Sequence, residues 1–124
     1  MEQKYRIGTE EGALLWNIGR MLEDASAFRT IQCQVEELSE ANPFNGDADY
    51  AMRTDVSKPL IVIELAEKKY KLIDGNHRLF KASQLKMKTL PAYFLSKKEH
   101  VRYIEGYDEQ KYERIVNAFY GIKH

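Results

Sequence analysis

The chain has 124 residues, 44% hydrophobic and 31% charged, with 19 basic side chains set against 19 acidic ones. Such a length and composition suit one globular domain, residues 1–124, with a single core, and exclude an intrinsically disordered chain. Zero net charge argues against non-specific DNA binding, which would need a local basic patch. The longest apolar run, Leu60-Ile61-Val62-Ile63, cannot span a bilayer, and Met1-Glu2-Gln3-Lys4 does not resemble a signal peptide, so no membrane partner and a cytoplasmic location are expected.

Between Thr9 and Ala25, the residues Leu14, Leu15, Ile18, Met21 and Leu22 recur at helical spacing, which predicts an amphipathic helix within an N-terminal segment 1–28. Trp16 projects away from that stripe, and a covering neighbour is the expected fate of so large an aromatic. A core over residues 30–96 follows. Ile31, Cys33 and Val35 alternate with Gln32 and Gln34, so a half-buried strand is expected over residues 31–35, with Cys33 in the core and chemically quiet. As the only cysteine, Cys33 has no internal disulfide partner, and no Cys/His spacing suggests a metal site.

Residues 39–49 are dense in turn formers and read as a loop, leading to a short helix over 49–55. Pro59 opens a β-branched run to Leu65, and after Glu67-Lys68-Lys69 a second strand is expected over 70–73. Leu79, Ala82 and Leu85, widened by Phe80, predict a helix from Asn76 to Lys86, followed by a strand over 89–95. The segment 97–124 is expected to be helical, with Val101 and Ile104 in one short helix and Tyr112, Ile115, Val116, Phe119 and Tyr120 in another, ended by Gly121. The class is therefore α/β (α+β): a small mixed sheet flanked by helices.

Asp74-Gly75-Asn76-His77-Arg78 carries the chemistry. Gly75 stands where a strand must turn sharply into a helix, and its missing Cβ permits positive φ or the close approach of a ligand. The first amides of a helix have no intrahelical partner and sit at the positive end of its dipole, so they favour an anion. Asp74 is placed to cap the helix, Arg78 to fork a phosphate, and His77 to donate a hydrogen bond or move a proton. The same residue types also allow a structural reading, in which Arg78 pairs with a neighbouring acid and His77 is simply polar.

Residues 70–82, Tyr-Lys-Leu-Ile-Asp-Gly-Asn-His-Arg-Leu-Phe-Lys-Ala, followed by 88–94, Lys-Thr-Leu-Pro-Ala-Tyr-Phe, resemble the signature of the ParB/sulfiredoxin-like superfamily. In looser register, Asn42-Pro43 and Lys58-Pro59-Leu60-Ile61 extend the likeness back to Thr30. The variant it resembles most is the Asp-Gly-x-His-Arg form found in free-serine kinases and small ParB-like proteins. Asn76 stands where sulfiredoxins carry their reactive cysteine, so sulfinic-acid reduction is not implied. The chain is also too short for the helix-turn-helix domain of a complete partition protein.

The resemblance implies a nucleotide (ATP, ADP or CTP, with Mg2+) or another phosphate-bearing ligand held by Asp74, Gly75, Asn76, His77 and Arg78. In the kinase branch an acidic residue near the first strand serves as base. Glu36, Glu37 and Glu40 lie in that stretch, and Glu40 with His77 forms the candidate catalytic pair. Three functions remain open on these residues: nucleotide-dependent phosphotransfer or hydrolysis, a non-catalytic regulatory or accessory module of a plasmid or mobile element, and a ParB-like nuclease or DNA-associated factor.

Overall fold

The computed structural model describes residues 3–122 and divides into two compact units, one formed by the residues up to Ala27 together with those from Ser96 onward, the other by Phe28–Leu95. Among the described residues no helix is long and apolar enough to cross a membrane.

The terminal unit begins with a β-hairpin, β1 (Lys4–Thr9) and β2 (Gly12–Asn17), paired antiparallel with Thr9 opposite Gly12. The long helix expected over residues 9–25 is therefore corrected: only α1 (Ile18–Glu23) is helical in that stretch before a 3-10 turn at Ala25–Ala27. Turn chemistry outweighs the helical spacing here. The Thr9 hydroxyl accepts from Glu11 N–H and donates to Gly12 O, and Gly12 takes φ 124°, which a glycine adopts without steric cost. Leu14 and Trp16 are then buried at alternate positions of a strand, while Leu22, placed on the expected stripe, is exposed.

In the same unit follow α5 (Lys97–His100), a 3-10 turn at Val101–Tyr103 and α6 (Glu109–Phe119). Ser96 and Glu99 form a reciprocal capping box at the start of α5, and Asp108 caps α6 by accepting from Lys111 N–H. Ile104 lies beyond the short helix expected to contain it, in an antiparallel bridge to Trp16. Trp16 is fully buried, and its indole N–H donates to Nδ1 of the equally buried His100 at 3.1 Å. Tyr112, Ile115 and Val116 bury the inner face of α6, which packs on the hairpin.

Phe28–Leu95 contains β3 (Arg29–Gln34), α2 (Val35–Ala41), α3 (Ala48–Ala51), β4 (Leu60–Ala66), β5 (Lys69–Asp74), α4 (Asn76–Gln84) and β6 (Thr89–Leu95). The strands form one mixed sheet in the order β3-β6-β4-β5, with the β4/β6 pair parallel and the other two antiparallel. Both faces of β4 are buried, which explains its unbroken Leu-Ile-Val-Ile run. On one face, Leu60, Val62, Leu72, Leu90 and Ala92 share a core with Val35 of α2 and Leu79 and Ala82 of α4.

Several boundaries differ from the sequence reading: the short helix expected over 49–55 is α3 at Ala48–Ala51, and α4 stops at Gln84 before the expected Lys86. β3 ends at Gln34, and Val35 opens α2, where Glu36 and Glu37 in the first turn complement the helix dipole, so residues 39–41 are helical rather than loop. Cys33 is half-buried rather than fully buried, because β3 is an edge strand; burial still pushes its thiol pKa upward.

Candidate functional site

The β5–α4 junction turns as its residue types require. Gly75 is the N-cap of α4 at φ 105°, and a Cβ added there would stand 2.3 Å from Leu60 Cδ2. Both the left-handed backbone and the lack of space demand glycine. No side chain caps the helix, and its first turn carries no acidic residue. The anticipated capping role of Asp74 is therefore corrected: its carboxylate is reached by Arg78 Nη2 at 3.0 Å, four residues on.

That contact belongs to a wider clamp. Arg78 Nη1 donates to Lys58 O at 3.0 Å and Pro59 O at 2.7 Å, tying the start of α4 to the chain entering β4. The guanidinium and carboxylate are 16% and 12% exposed, so the pair is largely shielded from water. Sequence reading aimed this guanidinium at a ligand, whereas the structure spends it on the chain's own carbonyls and Asp74.

Around the same helix start the loop after α2 is tied down at three points. Asn42 is buried, its Nδ2 donating to Leu38 O while its Oδ1 accepts from Lys71 Nζ at 3.0 Å and Leu72 N–H at 3.4 Å. Burial lowers the pKa of that Lys71 ammonium. Asn76 Nδ2 donates to Asn45 O at 2.9 Å, and Phe44 stacks on Phe80 at 4.1 Å between ring centroids. The His77 ring meets the edges of Phe44 and Tyr50 at 5.8 and 4.9 Å. At 52% exposure Tyr50 leaves the rim of this aromatic cluster open to solvent. Lys81, one turn beyond His77, donates to Thr54 O at 2.7 Å and secures the segment after α3.

The structure thus brings Asp74, Gly75, Asn76, His77 and Arg78 together at one turn, as chain neighbours must be. Glu40 lies exposed on α2 and has no hydrogen bond to His77 among the described residues. Phe44, Tyr50 and Lys81 were missed by sequence reasoning. Spacing within α4 carried a partial signal, since Phe80 and Lys81 fall on the side of the helix that His77 starts; nothing local announced Phe44 or Tyr50.

Chemically, the turn offers first-turn amides, the positive end of a nine-residue helix and an imidazole beside them. Among the described residues no group of three or more His, Cys, Asp and Glu side chains could hold a metal ion. No family model, no curated protein and no solved structure matches the chain.

Proposed function

We propose that Phe28–Leu95 is a nucleotide- or phosphate-binding domain of the ParB/sulfiredoxin-like kind, with the anion at the first turn of α4. The observation that carries this reading is Gly75 at positive φ opening a helix whose first amides no side chain caps, within the Asp74–Arg78 motif. Amides of Asn76, His77 and Arg78 supply the donors, and the His77 ring supplies a further one. The Arg78 guanidinium frames the turn by holding Asp74 and the Lys58 and Pro59 carbonyls. The turn supports binding; phosphotransfer would also need a carboxylate placed on the attacking hydroxyl.

The test is a thermal-shift and calorimetric panel of ATP, ADP, CTP and GTP with and without magnesium. A ligand at one hundred times its dissociation constant adds about 2.7 kcal/mol of stability. His77→Glu places a carboxylate among the first-turn amides, where it favours the helix but repels an anion, so affinity should fall about tenfold or more with the melting temperature held. No stabilisation by any member of the panel, or equal affinity in wild type and His77→Glu, would sink the assignment.

A further inference from the structure

On the opposite margin of the same unit, β3 has β6 on one side and no strand on the other. Cys33 pairs with Leu90 in register, and Val35 N–H donates to Lys88 O, so Arg29, Ile31 and Cys33 turn their backbone groups toward β6. Thr30, Gln32 and Gln34 must then turn theirs outward. Pro91, opposite Gln32, fits this alternation, because its missing N–H falls at a pair that exchanges no hydrogen bonds across β3 and β6. No described residue takes up the outward groups of Thr30 and Gln32, whereas Gln34, as the N-cap of α2, gives its carbonyl to the first turn of that helix.

Beside this edge lies a cavity of about 570 Å³. Its apolar wall is formed by Ile31 and Cys33 of β3, Leu38 and Ala41 of α2, and Phe94 of β6. The cavity also reaches Val62 of β4 and Tyr70 of β5, so it lies over the face of the sheet, with Gln32 and Gln34 at its β3 margin. The charges along it are unpaired and bipolar. Arg29, at the first residue of β3, rests its guanidinium on the Phe94 ring at 4.9 Å and has no ion-pair partner among the described residues. Glu37, in the first turn of α2 just past the last residue of β3, likewise lines the cavity without an ion pair.

We infer that this edge is a docking site for an extended apolar peptide, added antiparallel to β3 as a fifth strand with its C-terminal carboxylate at Arg29. Free backbone groups supply the ladder, and the apolar wall takes every second side chain. Direction follows from charge. A strand running from the Gln34 end to the Arg29 end brings its positive N-terminus to Glu37 and its carboxylate to Arg29, while the parallel orientation would set like charges together at both ends.

The probe is the hexapeptide Lys-Val-Thr-Val-Thr-Val with a free carboxylate, compared with its C-terminal amide, read by fluorescence anisotropy and by the rate at which a thiol reagent modifies Cys33. The acid form should bind, slow the modification of Cys33, and lose about fivefold in affinity on amidation, the scale of an exposed ion pair. In Arg29→Ala the acid and amide forms should bind equally. Gln32→Pro removes an outward N–H from the edge without touching the β3–β6 ladder, so it should abolish binding while the fold persists. Should that variant not fold, the acid-to-amide ratio in wild type and Arg29→Ala decides alone. No binding at millimolar peptide, unchanged Cys33 reactivity, or an acid-to-amide ratio indifferent to Arg29 would overturn the proposal. So would a sedimenting dimer that protects Cys33 without peptide, since a second copy would then occupy the edge.

Discussion

Two arginines of Phe28–Leu95 are set in opposite ways. Arg78 is largely shielded and spends its donors on Lys58 O, Pro59 O and Asp74, while Arg29 lies exposed across the Phe94 ring with no oxygen partner among the described residues. A guanidinium whose fork is satisfied by its own chain contributes to folding; one left on an aromatic face is available for recognition. The contrast extends to the backbone around each. At the α4 start the chain is crowded, as the 2.3 Å approach of Leu60 to a Cβ at position 75 shows, whereas the β3 edge opens on a cavity.

The largest effect should come from the crowded region. Gly75→Ala forces a side chain into left-handed backbone and against Leu60, and should cost about 2–4 kcal/mol, read as a lowered denaturant midpoint. Arg78→Ala should follow at about 2–3 kcal/mol, because it leaves Asp74 and two carbonyls without their donor. Arg78→Lys should recover only part of that loss, since one ammonium cannot span all three acceptors. A stable Arg78→Ala protein that had lost only ligand affinity would break the comparison and return the guanidinium to the anion site.

Tyr103, in the terminal unit, tests the same rule in a phenol. It donates to Asp24 Oδ2 at 2.6 Å, and burial together with that carboxylate pushes its pKa from 10.0 up to about 12. The raised folded-state value means that this contribution is complete below pH 10.0 and is lost as pH climbs toward about 12, where the folded state must also ionise. Thermal melts across that alkaline window should fall less steeply for Tyr103→Phe than for wild type. The smallest effect is expected for Arg29→Ala, within about 0.5 kcal/mol in stability. A larger loss in chemical denaturation would place Arg29 in the fold and remove the difference between the two arginines.

Much of Phe28–Leu95 was legible in its residues. The β-branched run after Pro59, the alternation of Ile31 and Cys33, and the three-residue spacing of Leu79 and Ala82 each report a local period that the backbone then adopts, although Leu85, next in that spacing, falls past the end of α4 and is exposed. Gly75 was legible for the same reason, since one glycine between an apolar strand and a helical stripe has few conformational explanations. Residues 9–25 were not, because a helical spacing of leucines competed there with a turn at Thr9-Glu10-Glu11-Gly12, and pairing with Tyr5 and Ile7 on β1 decided for the hairpin. What belongs to tertiary structure alone is where polar groups find partners. Sequence allowed Arg78 to pair with a neighbouring acid, yet only the folded chain brings the Lys58 and Pro59 carbonyls to it, twenty and nineteen residues away. The open margin of β3 is equally invisible in a linear reading, because a strand's rank at the edge of its sheet depends on how β4, β5 and β6 pair and not on its own side chains.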